Sequence, residues 1–223
     1  VYITGRREKK LQEAVDLVGK NIAYIVADVT KKEDNQKVAD RIKADKGHLD
    51  IAIANAGVGN YIAIEDVTEE EFNRVMYTNV LGTYYLAQSC LPIMKEGSTF
   101  ILNTSVTTSL GLPKFSLYIA AKSAMKSFIH TWTNELRDRK IRVNALAPGI
   151  IPTDAAGQEL GRDPKEEQNV QQYRFTLIPA GRVGNVKDTS NAAVFLGSDE
   201  SSYVNGVELL VDGGLAAIYP VKL

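Results

Sequence analysis

Six short apolar runs, most of them without polar alternation, punctuate the chain, and segments of helical period lie between them. They are Val1 to Ile3, Ile22 to Val26, Leu49 to Ala54, Thr99 to Leu102, Ile141 to Leu146 and Val207 to Val211. A strand that is apolar at consecutive positions is covered on both faces, as in a parallel sheet between two helix layers. The intervening segments carry helix starts. Thr30 with Glu33 and Thr68 with Glu71 both have the spacing of a capping box, in which each side chain satisfies an otherwise orphan amide. The pattern predicts a long helix from Glu69 to Met94 and another from about Phe115 to Arg139. In the second, Ala121, Met125, Phe128, Trp132 and Leu136 fall three or four apart and form one apolar stripe. Repeated strand-helix units of this kind give an α/β doubly wound parallel sheet with right-handed crossovers and helices on both faces. No low-complexity linker, repeat or composition shift divides the chain, so residues 1–223 read as a single domain. The least regular stretch, Pro152 to Phe175, is polar and reads as either a flexible loop or a helical lid.

Composition removes several classes of function. With 26 basic and 27 acidic side chains, a net charge of -1 and no basic run of five or more, the composition argues against nucleic acid or an anionic membrane as the main partner. No 18 consecutive residues are apolar, so no bilayer-spanning helix is expected. A lone Cys90 makes no internal disulfide, and with only His48 and His130 beside it a metal cage is not expected. A reducing cytoplasm is the default compartment. The chain begins at Val1, with neither an initiator Met nor a signal-peptide pattern, so the expectation is that it represents a fragment.

In an open parallel sheet, ligands bind beyond the carboxyl ends of the strands. Polar and small residues just after the runs are therefore the ones to inspect. Asp28 follows the second run, Asn55-Ala56-Gly57 the third, Ser105 the fourth and Pro148-Gly149 the fifth, all along one rim. The most informative local pattern is Tyr118-Ile119-Ala120-Ala121-Lys122, a tyrosine and a lysine four apart on a predicted helix and so on one face. A phenol with an ordinary pKa of about 10 is a poor acid or base near neutrality, and a nearby ammonium favours the phenolate. Alone, the spacing far more often marks a packed aromatic beside a solvated lysine, and the context decides.

Together these residues carry a family resemblance. Asn55-Ala56-Gly57 after a strand, Asn79 in Asn-Val-Leu-Gly, Ser105 thirteen residues before Tyr118, Tyr-x-x-x-Lys, Arg142-Val143-Asn144 leading into Pro148-Gly149, and the closing Asn205-Gly206 and Val211-Asp212-Gly213-Gly214 resemble the short-chain dehydrogenase/reductase family over the whole chain. The resemblance implies an NAD(P)-dependent oxidoreductase with a Rossmann-like fold, passing hydride between a nicotinamide and a ketone or secondary alcohol. It makes Tyr118 the general acid/base. Lys122 would hold the nicotinamide ribose and depress the Tyr118 pKa, Ser105 would hydrogen-bond the substrate oxygen, and Asn79 would hold a water in the proton relay. Asp28 and Val29 would lie at the adenine, Asn55, Ala56 and Gly57 would let the cofactor approach the backbone, and Pro148, Gly149, Ile151 and Thr153 would floor the nicotinamide carboxamide. Where NAD-preferring members carry an aspartate, this chain has Gly5 followed by Arg6, which suits a 2′-phosphate. NADP(H) is accordingly the expected cofactor, with NAD(H) the alternative. The family's paired-helix surfaces imply a homo-oligomer, dimer or tetramer.

Each residue also has a plainer reading. Asn79 could bond to a neighbouring strand's backbone, Ser105 could belong to the hydroxyl-rich turn Thr104 to Ser109, and Asp28 could help to cap a helix near Thr30. Gly149, Ile151 and Thr153 could be loop punctuation, and Arg6 with Arg7 could be ordinary surface residues. One departure is large: the family's first strand and Gly-rich phosphate turn are absent, so roughly thirty residues, about the size of a βαβ unit's opening, are expected upstream. Their strand would lie between Val1–Ile3 and Leu49–Ala54. The competing function classes are a non-catalytic nucleotide-binding or scaffold protein that retains the fold and, ranked lower, a Rossmann-like methyltransferase.

Overall fold

A computed structural model describes residues 1–152 and 177–218. All six apolar runs form strands: β1 (Tyr2–Gly5), β2 (Ala23–Val26), β3 (Leu49–Ala54), β4 (Met94–Asn103), β5 (Arg142–Pro148) and β6 (Glu208–Val211). The helices between them are α1 (Glu8–Val18), α2 (Lys32–Lys46), α3 (Glu69–Met76), α4 (Gly82–Cys90), α5 (Ser116–Glu135) and α6 (Val186–Gly197). Every strand pair is parallel. The ladder is in two pieces, β1-β2 and β3-β4-β5-β6. β1 and β3 are not paired with one another.

Alternation along the central strands explains why they are apolar throughout. Phe100 and Leu102 of β4, with Val143 and Ala145 of β5, pack with Ala87, Ile129 and Trp132 of α4 and α5. Ile101 and Leu146 point the other way, into a cluster with Leu196 of α6. The central strands β4 and β5 are thus covered by helices on both faces, as a parallel sheet requires, while Ile51 and Ile53 of the flanking β3 remain exposed. A third cluster, Ala27, Val38 and Ile42 with Tyr2, Leu49 and Ile93 packed against it, joins the two-stranded piece to the rest.

Several family-signature residues are structural braces. Arg142 donates to the carbonyls of Leu196 and Ser198 at 3.1 and 3.2 Å. Fully buried Asn144 donates to Val204 O at 2.8 Å and accepts from Val207 N at 3.1 Å. Asn205 accepts from Val143 N at 2.8 Å. Asp212 accepts from the backbone N–H groups of Gly214 and Ala216, both at 2.8 Å, closing the turn after β6.

Three expectations need correction. The predicted helix from Glu69 to Met94 is helical through Ile93 but contains a π-helical turn at Tyr77–Leu81, and Met94 opens β4 instead. Pro92, in the closing 3-10 turn, has no N–H with which to continue the helix. Thr30 and Glu33 make no capping box: α2 is capped at Lys31 without a side-chain bond, because the Thr30 hydroxyl donates to Asp28 Oδ1 at 2.8 Å. At α3 half of the expected box forms, with Thr68 accepting from Glu71 N at 3.2 Å while the Glu71 carboxylate turns to Arg74 and Asn60. The stretch Pro152 to Phe175, expected to be either a flexible loop or a helical lid, lies from residue 153 on outside the described residues. Among the described residues no helix is long and apolar enough to cross a membrane.

Candidate active site

The stripe on α5 that packs into the core also fixes Tyr118 and Lys122. Ala121, Met125, Ile129 and Trp132 are buried, which pins the rotation of the helix about its axis. Tyr118 and Lys122, one turn apart, come together, with Lys122 Nζ 5.7 Å from the centre of the Tyr118 ring. Lys122 is only 2% exposed, and its ammonium donates to the Asn103 carbonyl at the end of β4 at 2.7 Å. Burial pushes its pKa down to about 8.

The loop after β3 closes over this pair through glycines. A methyl group at Gly57 would stand 2.7 Å from Asn79 Oδ1 and 3.1 Å from Lys122 Nζ, and one at Gly59 would stand 2.4 Å from Tyr118 Cδ2. Asn55 accepts from Asn103 Nδ2 at 2.7 Å, and Ala56 is exposed beside it. The structure therefore brings Asn55, Gly57, Asn79, Tyr118 and Lys122 into one cluster.

Asn79, fully buried in the π turn, is engaged with backbone on every side-chain group. Its Nδ2 donates to Val58 O and Val75 O, each at 2.8 Å, and its Oδ1 accepts from Val58 N at 3.2 Å. Its side chain is a bracket between the loop after β3 and its own helix, bonding to backbone but not to that of a strand. Ser105 opens the turn after β4, and its Oγ accepts from Thr107 N at 3.2 Å and Thr107 Oγ1 at 2.9 Å. It belongs to the hydroxyl-rich turn and also lies on the rim.

The other end of the rim carries charge. Arg6 follows β1 and Asp28 follows the neighbouring β2. Burial raises the Asp28 pKa, but hydrogen bonds from the Thr30 backbone and hydroxyl, with the charges of Arg6 and Lys31, outweigh it and hold the carboxyl below its ordinary value. Val29 packs on Gly82, where a methyl group would meet Val29 Cγ2 at 2.9 Å, so the rim segment rests on the start of α4.

After β5, Gly149 lies so close to Asp212 that a methyl group would stand 2.6 Å from its Cα. The chain here lies against the β6 turn, with Gly149 N donating to Val211 O at 2.9 Å. Ile151 packs on Gly184, whose N–H donates to Ile150 O at 3.0 Å. Thr153 lies outside the described residues. Two residues escaped the sequence reading. Asn103, which holds both Lys122 and Asn55, is the polar residue that ends β4, a position the strand-end rule could have flagged; Gly59 sits in no motif.

A family profile described as Enoyl-(Acyl carrier protein) reductase matches residues 1–216. Oxidoreductase asL5 of Sarocladium schorii is 36% identical over 220 residues, 98% of this chain and 86% of that protein. Versicolorin reductase 1 of Aspergillus parasiticus is 35% identical over 213 residues, 92% of this chain and 81% of that protein. Among solved structures, a gluconate 5-dehydrogenase of Burkholderia cenocepacia in complex with NADP and tartrate superposes with a TM-score of 0.87 at 28% identity, covering 98% of this chain and 86% of that one. A doubly covered parallel sheet, a tyrosine-lysine pair under a glycine-bearing strand-end loop, and similarity over nearly all of the chain converge: the protein belongs to the short-chain dehydrogenase/reductase family of oxidoreductases.

Proposed function

We propose that the protein is an NADP(H)-dependent reductase of ketones, or dehydrogenase of secondary alcohols, with Tyr118 as its general acid/base. The observation that carries this reading is the buried Lys122 beside the Tyr118 ring. A positive charge held beside a phenol in a poorly solvated site favours the ionised form that general base chemistry needs. In reduction, Tyr118 gives its phenolic proton to the substrate oxygen; in oxidation it takes that proton back. The nicotinamide cofactor, when bound, supplies the hydride to the carbonyl carbon or accepts it. Ser105 Oγ already accepts two hydrogen bonds, so its own proton is the one directed to the substrate oxygen, where it stabilises the developing negative charge.

The residues along the rim support a dinucleotide reading. Gly57 lies against Lys122, whose ammonium would hold the ribose hydroxyls. Asp28 and Val29 would face the adenine, and Arg6 is available for a 2′-phosphate, a preference also supported by the NADP named with the gluconate 5-dehydrogenase. NAD(H) is the alternative. The name of versicolorin reductase 1 supports the reductive direction.

The reading extends to a cytoplasmic homo-oligomer. Tyr84 on α4 is 42% exposed and meets the edges of Phe128 and Trp132 of α5, an aromatic surface suited to a second copy. The decisive experiment measures NADPH oxidation by the full-length protein over a panel of ketones, wild type against Tyr118→Phe. Turnover that survives the substitution overturns the assignment.

A further inference from the structure

The loop that follows β3 reaches past Lys122 to the ring of Tyr118 itself. A methyl group built on Gly59 would lie 2.4 Å from Cδ2, 3.0 Å from Cγ and 3.2 Å from Cβ of Tyr118. Cβ and Cγ are the root of the side chain and Cδ2 is a ring atom held to them, so making room requires the ring itself to turn or shift. Gly59 is not among the glycines with positive φ. The backbone there is one that any residue can adopt, and the need for glycine comes from Tyr118 rather than from the turn.

A second contact comes from the helix itself. Phe115, buried and three residues before Tyr118, stacks on its ring with centres 4.5 Å apart and planes 23° from parallel. Tyr61, two residues after Gly59, stacks on Phe115 in turn at 4.2 Å and 6°. A backbone bond from Ile62 N to Lys114 O at 2.7 Å joins the two segments just beyond the rings. The loop and the start of α5 are thus closed on each other by one hydrogen bond and three stacked aromatics.

We infer that Gly59 and the Tyr61-Phe115 stack are positioning residues that set the orientation of the Tyr118 ring, so that the loop after β3 aligns the phenol as well as lining the rim. The inference rests on the role of Tyr118 proposed above. An acid that must meet a substrate oxygen at hydrogen-bond distance is sensitive to displacement, and an error of about 1 Å can cost on the order of a hundredfold in rate.

The test uses the full-length protein labelled with 3-fluorotyrosine, with the Tyr118 resonance assigned by its loss in Tyr118→Phe. Gly59→Ala is expected to shift that resonance and to lower kcat by roughly ten- to a hundredfold. The Kd for NADPH, measured by fluorescence titration, should stay within about twofold, because the substitution leaves Lys122 and Arg6 in place. Phe115→Leu should do the same to a smaller degree, and it decides the question if Gly59→Ala does not fold. An unmoved resonance with kcat unchanged in the folded variant overturns the inference. A shifted resonance in a protein whose wild type turns over no carbonyl compound upholds the alignment and defeats the oxidoreductase reading instead. Loss of NADPH affinity in parallel with kcat would mean that the loop acts on the cofactor and would also overturn the inference.

Discussion

The two central strands of the four-stranded piece and the two strands of the smaller piece are made from the same strand-helix unit and are buried very differently. In β4 and β5, Phe100, Ile101, Leu102 and Val143 have no exposed surface, whereas no residue of β1 or β2 is fully buried. The residues proposed for chemistry, Ser105, Tyr118 and Lys122, are anchored on the four-stranded piece; Arg6 and Asp28, proposed for the adenosine end, are anchored on the two-stranded one. Proton transfer demands sub-ångström placement, and a packed core supplies it. Recognition of a phosphate by a guanidinium on a long side chain tolerates a softer support.

The sharpest way to break this comparison is Tyr118→Phe. It should lower turnover by roughly a hundred- to ten-thousandfold while the NADPH Kd stays near the wild-type value, as removal of one general acid/base group does. Stability should divide along the same line. Phe100→Ala empties a site with no exposed surface and should cost about 3 to 5 kcal/mol, while Leu11→Ala, in α1 beside β1, should sit near 2 kcal/mol because Leu11 keeps 8% of its surface in contact with solvent. Urea unfolding of the two variants checks this, and equal losses would erase the distinction between the pieces.

The buried Lys122 gives a pH signature. Its folded pKa of about 8 lies below the ordinary lysine value, so between those limits the unfolded chain binds more protons than the folded one. Stability of the cofactor-free protein should therefore rise with pH from about 8 to 10.5, by up to about 3 kcal/mol from this group. Lys122→Met should lack that rise; parallel wild-type and variant curves would contradict the burial. The smallest effect belongs to the outer strand. Arg6→Ala should weaken NADPH relative to NADH by about tenfold, at the lower end for a charge-assisted bond because Arg6 is exposed. A wild-type preference for NADH would remove that role.

The strands and α5 were legible because their signals are local: consecutive apolar residues for a doubly covered strand, and a three-four stripe for a core helix. Tyr118 and Lys122 were legible for the same reason, since four residues on a helix always make one turn. Thr30 was misread because spacing does not reveal a competing acceptor, here Asp28 Oδ1. The first half of β4 was missed because Lys95, Glu96 and Gly97 are polar or small, and its pairing with β3 shifts register between Leu49 and Ile51. Gly59 was invisible for a deeper reason: its partner is 59 positions away in sequence, and only the fold brings the two together.

The braces built from Arg142, Asn144, Asn205 and Asp212 bear on how relatives without activity should look. Arg142, Asn144 and Asn205 hold β5 to the segment before β6, and Asp212 closes the turn after it, all through backbone groups, and none of those bonds depends on oxidoreduction. A pseudoenzyme that had exchanged Tyr118 for another residue would still need all four to stand. Sequence kinship to this family therefore records shared architecture more faithfully than shared turnover, and a paralogue can inherit the scaffold's vocabulary after losing the catalytic word.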